Sequence, residues 1–351
     1  MTVRDGMTVR GGMTVRGGTT KENYVYASYN FYGLFATAPS LQITPPGVIF
    51  ETTTGAPKNT AVNAPSAKSA GHGILPNIAS NAAPIITIVI IGPPMPSNIP
   101  MNLAKEKEMG KLEGKVALIT GASGKIGSAV AKRFIREGAC VILISRSLDN
   151  LKPLYNEIEE LEEFKEGSVK LIQLNLLDFE NVKILTNMIE SLKLSESGAL
   201  DILVACTGIS GKLNPIHDCE IEELQNVMNT NFTANWYLLK NLDPMLKKSN
   251  AGRVIFMTSE VTLSPSSYPY WMPYAASKVA LEIMVQIYAS ETKHTKLCVN
   301  AVYTKGPVGS EQAFPGSELV SPDKLTDKFV ELASEDCSVS GEILPLSKSP
   351  E

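Results

Sequence analysis

The chain has no two cysteines at Cys-x-x-Cys spacing; Cys140, Cys206, Cys219, Cys298 and Cys337 are scattered. Neither a zinc ligand set nor a local redox dithiol has a framework here. The three histidines, His72, His217 and His294, are equally dispersed. A Ser-His-Asp hydrolase or a His-rich metal site has little to build on, and no metal is expected. Charge excess is missing too: Lys+Arg number 32, Asp+Glu 36, for a net charge of -4. No basic footprint for nucleic acid is present. No stretch reaches the ~20 apolar residues of a membrane helix. The longest, Pro84 to Gly92, is closed by Pro93-Pro94. The start lacks a charged head followed by an apolar core, which argues against a secretory signal. Cys140, Cys206 and Cys298 fall on or beside predicted strands. They read as buried small apolar residues in a reducing, cytoplasmic compartment.

What is present divides into two unlike regions. Met1 to Gly6 recurs nearly unchanged as Met7 to Gly12 and Met13 to Gly18. A β-repeat of that period would need an apolar ladder, which is lacking. Residues 35–100 are rich in Ala, Pro, Ser, Thr, Asn and Gly. Such a composition buries too little apolar surface to offset chain entropy. Residues 1–111 are therefore expected to be a low-complexity, disordered leader. Two alternatives stand beside this. Arg4, Arg10 and Arg16 in an acid-poor start suit a targeting peptide, and Met101 or Met109 could be the true start.

Residues 112–351 read as one domain. Apolar runs fall at Val116–Thr120, Val141–Ser145, Val169–Leu174, Ile202–Ala205, Val254–Thr258, Leu297–Val302 and Ile343–Leu346. Helical patterns lie between them, at Ile126–Glu137, Leu148–Phe164, Phe179–Leu192, Ile221–Lys247, Tyr274–Thr292 and Pro322–Ser334. Continuous apolar strands are covered on both faces. Their alternation with helices predicts an α/β fold: a Rossmann-like, doubly wound parallel sheet of about seven strands.

Chemistry concentrates at four places. Thr120-Gly121-Ala122-Ser123-Gly124-Lys125-Ile126-Gly127 follows the first strand and opens a helix. Gly121 would make the turn, Gly124 would allow close approach and Gly127 would let the helix pack, aiming N–H groups at a pyrophosphate. After the second strand, Ile144-Ser145-Arg146-Ser147 carries a cation where an acid would accept from the ribose of NAD. Arg146, with Lys125 nearby, favours the 2′-phosphate of NADP(H), leaving NAD(H) possible. Tyr274 and Lys278 stand four apart, on one helix face. The ammonium there would lower a phenol whose free pKa is ~10, making proton exchange feasible. Ser259, fifteen residues before Tyr274, could hold a substrate oxygen, and Asn231 could carry a water chain to Lys278. The bland alternatives are a helix cap for Ser259 and a structural amide for Asn231. Tyr268, Tyr270, Trp271 and Met272 would form an apolar wall beside Tyr274, or simply pack their own loop.

On these residues, together with Asp201 to Val204, Gly208, Gly252 to Val254, Val299 to Val302 and Ser340 to Pro345, the chain resembles the compact short-chain dehydrogenase/reductases. More narrowly, Ala234-Asn235-Trp236, Leu242-Asp243-Pro244 and Tyr270-Trp271 resemble the YciK-like bacterial oxidoreductases. The resemblance implies an NADP-dependent oxidoreductase acting on a small carbonyl or alcohol. Tyr274 would be the acid/base, Lys278 its activator, Ser259 and Asn231 its supports. It also implies cofactor contacts from Gly121, Ser123, Gly124, Lys125, Ile126, Gly127, Arg146, Asn175, Leu176, Gly208, Tyr274 and Lys278, a substrate pocket near Tyr270 and Trp271, and a homodimer or homotetramer. The chain departs from the family at Lys125 (usually Gly), at Ala205-Cys206-Thr207, at Asn175 (usually an acid), at Thr304-Lys305 and in the length of the Ser259–Tyr274 interval. Lys125 and Ala205-Cys206-Thr207 motivate a second hypothesis, a dinucleotide-binding regulator or scaffold with little turnover.

Overall fold

The computed structural model describes residues 110–304 and 321–346, with five short strand segments before them: Met7–Val9, Met13–Arg16, Val25–Tyr29, Val48–Ile49 and Ile88–Val89. Most of the expected leader, and residues 305–320, lie outside the described residues.

Seven parallel strands run through the described region after residue 110. They are β1 (Val116–Thr120), β2 (Cys140–Ser145), β3 (Val169–Gln173), β4 (Ile202–Ala205), β5 (Arg253–Met257), β6 (Cys298–Tyr303) and β7 (Ile343–Pro345). Their order is β3-β2-β1-β4-β5-β6-β7. The helices are α1 (Lys125–Arg136), α2 (Lys152–Glu159), α3 (Phe179–Ser191), α4 (Ile221–Met228), α5 (Ala234–Lys248), α6 (Met272–Glu291) and α7 (Thr326–Ala333).

Alternation along β1 shows how the sheet takes helices on both faces. Val116 and Leu118 join one core cluster with Val182 and Leu185 of α3, Leu238 and Leu242 of α5, and Leu281 and Val285 of α6. Ala117 and Ile119 join the other, with Val130 and Phe134 of α1, Leu154 and Ile158 of α2, and Phe329 and Val330 of α7. Side chains of successive strand residues point to opposite faces, so a fully apolar strand supplies both cores. The strand order reverses between β1 and β4. In an open sheet of this kind, a crevice at the carboxyl ends of these strands takes ligands.

The structure corrects several expected boundaries. The helix expected over Leu148–Phe164 covers only Lys152–Glu159. Pro153 sits in its first turn, and a proline deeper inside would clash with the carbonyl four residues back. Beyond the helix the chain folds so that Phe164 meets Tyr155 edge-on, with ring centroids 6.3 Å apart. The long helix expected over Ile221–Lys247 is α4, a π-helical segment Asn229–Thr233, and α5. The helix expected over Pro322–Ser334 begins as a 3-10 turn, Pro322–Leu325. Of the cysteines expected to be buried, Cys140 is, whereas Cys206 and Cys298 are partly exposed. Cys206 follows the last residue of β4, and Cys298 is the first residue of β6. Among the described residues, no helix is long and apolar enough to cross a membrane.

Candidate active site

Three glycines shape the turn between β1 and α1. Gly121 has φ +63°, in the left-handed region, and a Cβ there would lie 2.9 Å from the backbone of Cys206 and Thr207. Only glycine meets both conditions at little cost. A Cβ on Gly127 would lie 2.4 Å from the Gly121 carbonyl oxygen, which is how α1 approaches its own turn so closely. A Cβ on Gly124 would sit 3.1 Å from the same oxygen, and the Gly124 N–H donates to it at 2.9 Å. Gly124 is also the residue that caps α1, and it has no side chain to offer the helix N–H groups.

The first turn of α1 contains no acid, and its first residue is the exposed Lys125. A cation at a helix N-terminus opposes the helix dipole. An anion held there would relieve both, so this cradle fits a dinucleotide pyrophosphate. Lys125 points outward, and the turn keeps its glycine geometry. The Ser123 hydroxyl lies 3.1 Å from that of Ser145 at the end of β2, while Ile126 is half-buried.

Arg146 follows the buried Ser145 and is exposed. The end of β3 is tied to β2 by Leu174 N–H donating to the Ser145 carbonyl at 2.8 Å. Just beyond, Asn175 is exposed, and its side-chain oxygen accepts from Leu177 N–H at 3.2 Å. The amide thus shapes the turn itself, and Leu176 is buried beneath it.

Across the crevice, the other side chains interlock. Tyr274 lies in the first turn of α6, behind Pro273 near the helix start. Lys278, one turn on, is almost fully buried, at 3% exposure. Its ammonium donates to the Met257 carbonyl at the end of β5, at 2.8 Å, and lies 5.5 Å from the Tyr274 ring centroid. Burial pushes the Lys278 pKa down to about 8, against the upward pull of Cys206 and Glu282. Burial likewise raises the Tyr274 phenol, opposed by a hydrogen bond from Ser259. Ser259 also accepts from Val261 N–H at 3.4 Å, so it caps a short turn while its hydroxyl reaches the phenol.

Asn231 occupies the π-helical segment and is fully buried. Its amide nitrogen donates to the Ile209 carbonyl at 2.8 Å and to the Ser277 hydroxyl at 3.0 Å. Its amide oxygen accepts from Ile209 N–H at 2.8 Å. Gly208 sits between these groups: a Cβ on it would lie 3.2 Å from the Lys278 ammonium and 3.3 Å from the Asn231 amide oxygen. Contacts therefore run unbroken from Gly121 through Cys206 and Thr207 to Gly208, then to Lys278, Asn231 and α6.

The two aromatics expected at the pocket part ways. Trp271 is buried, its ring 5.5 Å from that of Tyr274 in an edge contact. Tyr270 is 55% exposed and has φ 75°, a strained conformation for a bulky residue. Glu282 was missed in the sequence, although it stands four residues after Lys278. Its carboxylate accepts from Thr258 at 2.6 Å and Thr262 at 2.7 Å, on either side of Ser259. Thr262 also donates to the Ser259 carbonyl at 2.8 Å. Glu282 thus fastens the Ser259 turn to the helix bearing Tyr274 and Lys278.

The short chain dehydrogenase model matches residues 115–312. The chain belongs to the short-chain dehydrogenase family. YciK of Escherichia coli, an uncharacterized oxidoreductase, is 31% identical over 212 residues, covering 60% of this chain and 80% of YciK. An uncharacterized oxidoreductase of Mycobacterium tuberculosis is 27% identical over 220 residues; the match spans 62% of this chain and 60% of that relative's length. A short-chain dehydrogenase from Escherichia coli CFT073, solved with NADPH, superposes with TM-score 0.62 at 28% identity, covering 69% of this chain and all of that one.

Proposed function

We propose that this chain is an NADP(H)-dependent oxidoreductase interconverting a carbonyl and an alcohol, with Tyr274 as acid/base. The observation that carries this is the interlocked set of Ser259, Tyr274, Lys278 and Asn231 standing across the crevice from the glycine cradle. A nicotinamide dinucleotide, when bound, supplies or accepts the hydride. In the reductive direction Ser259 and Tyr274 hold the carbonyl oxygen by their hydroxyls, and Tyr274 passes its proton to that oxygen. A phenol raised by burial rests as a proton donor, which suits this direction. Lys278 stabilises the phenolate left behind. Asn231, bonded on three sides, fixes Ile209 and Ser277 around it.

The NADP preference is supported by the exposed cations Lys125 and Arg146, by the lack of an acid between the end of β2 and Asp149, and by the NADPH complex of the relative from Escherichia coli CFT073. The outward course of Lys125 removes the main motive for a non-catalytic regulator. Exposed Tyr270 and the ring of Trp271 suit a small apolar or aromatic carbonyl compound. The exposed Trp236 of α5 and Val279, Ile283 and Ile287 of α6 support pairing of copies through these helices, as a cytoplasmic dimer or tetramer.

The test is a fluorescence titration with NADPH and NADH, followed by nucleotide oxidation against ketones, aldehydes and diketones. Tighter NADPH binding with turnover on one carbonyl class is the expected outcome. Binding without turnover on any class would return the regulator, and no binding of either nucleotide would end both.

A further inference from the structure

At the far end of α6 from Tyr274 lies an open cavity of about 460 Å³, lined by Lys293, Ser290, Thr295, Cys298, Ser338 and Ser340 among others. Cys298 is the first residue of β6 and is partly exposed. Its sulfur lies 3.5 Å from the carbonyl oxygen of Cys337, in the turn after α7. The Cys337 thiol itself donates to the Val339 carbonyl at 3.7 Å. Two cysteines 39 residues apart in sequence are thus neighbours, and Cys298 is the one that lines the cavity.

The surroundings are unusual for a pair of idle thiols. Arg253 is 3% exposed, and its guanidinium donates to five backbone carbonyls. These belong to Ser334 (2.9 Å), Gly252 (2.9 Å), Lys296 (3.1 Å), Glu335 (2.9 Å) and Cys337 (3.1 Å). Every one of these acceptors is neutral, so the cation's field is left to act on its neighbours. The neighbouring Cys337 and that field favour the Cys298 thiolate against the cost of burial and draw its pKa below the ordinary thiol range. The thiolate is the nucleophilic form of cysteine.

We propose that Cys298 and Cys337 form an oxidation site, in which a hydroperoxide entering by the cavity oxidises Cys298 and Cys337 resolves it as a disulfide. The Cys298 sulfur attacks the outer peroxide oxygen. An S–O bond forms, the O–O bond breaks, the sulfur is oxidised to a sulfenic acid, and the peroxide is reduced to water or an alcohol. The Cys337 sulfur then attacks that of Cys298. An S–S bond forms, the S–O bond breaks, and hydroxide leaves with the Cys337 proton as water. The bridge ties the start of β6 to the turn after α7.

The test exposes the full, reduced chain to a small molar excess of hydrogen peroxide and maps its peptides by mass. The expected product is a peptide pair linked through Cys298 and Cys337, lighter by two hydrogens and restored by thiol reductant. It should form about tenfold faster than any modification of Cys219, a partly exposed thiol outside the pair. In Cys337→Ser, a dimedone adduct should mark Cys298. Oxidation of Cys219 at an equal rate, or of Cys298 to sulfinic acid in the native chain without any link, would overturn the proposal. The mapping on native protein decides even if the variant fails to fold.

Discussion

The two sides of the crevice are built differently. On the α6 side, Asn231, Lys278 and Glu282 are bonded to backbone or to other side chains, with distances from 2.6 to 3.0 Å. On the α1 side, Lys125 and Arg146 point into solvent, and the cradle is made of glycine backbone rather than side chains. The protein fixes its proton-handling groups with its own structure, while groups that meet a large anion stay open to it. Damage should therefore show differently. On the first side it should reach turnover and folding together, and on the second mainly nucleotide affinity.

Tyr274→Phe sharpens that contrast most. It removes the hydroxyl, and with it the proton donor, and turnover should fall by about 10²–10⁴-fold while NADPH binding persists. Loss of binding to match would show that the two sides are not separable. Asn231→Ala comes next. It leaves the Ile209 N–H and carbonyl without their partner, at about 1–3 kcal/mol for each buried group left unpaired. Chemical denaturation should report lowered stability, and an unchanged midpoint would mean the interlock contributes little. Arg146→Ala should weaken NADPH by about tenfold, near 1.4 kcal/mol, with NADH little affected and stability unmoved. Equal weakening of the two would remove the 2′-phosphate assignment.

The last effect is a slope. The Lys278 pKa falls to about 8 from 10.5, so between these pH values the unfolded chain holds the extra proton. The penalty for burying the charge is complete below pH 8 and fades as pH rises toward 10.5. Stability should rise across this window by on the order of 1 kcal/mol per pH unit from this residue. Lys278→Met should flatten that component. The raised Tyr274 phenol acts in the opposite sense above its ordinary value near 10, so the double variant separates them.

Much of the scaffold was legible because its signals are local. The strands were mostly apolar runs, with Lys170 and Asn300 as interruptions in β3 and β6, and β1 and β4 match the expected bounds to the residue. The cradle was legible because Gly121, Gly124 and Gly127 lie within one turn of chain. What escaped depends on contacts distant in sequence. Glu282 gives no sign in the chain that it will meet Thr258 and Thr262, 24 and 20 residues before it. Position next to Tyr274 placed Trp271 and Tyr270 together, yet one is buried and the other exposed in a strained backbone. The cysteines were taken singly, and only the sheet brings Cys298 to Cys337.

The π-helical segment at Asn229–Thr233 has a consequence beyond its own hydrogen bonds. A π turn holds one residue more than the α-helix around it and is the weaker arrangement. Removing one residue there would let α4 and α5 run on as a single regular helix. It would also reset the chain locally and carry Asn231 away from Ile209 and Ser277. The extra residue serves to aim one amide, and a variant with it deleted should give up the chemistry while keeping the fold.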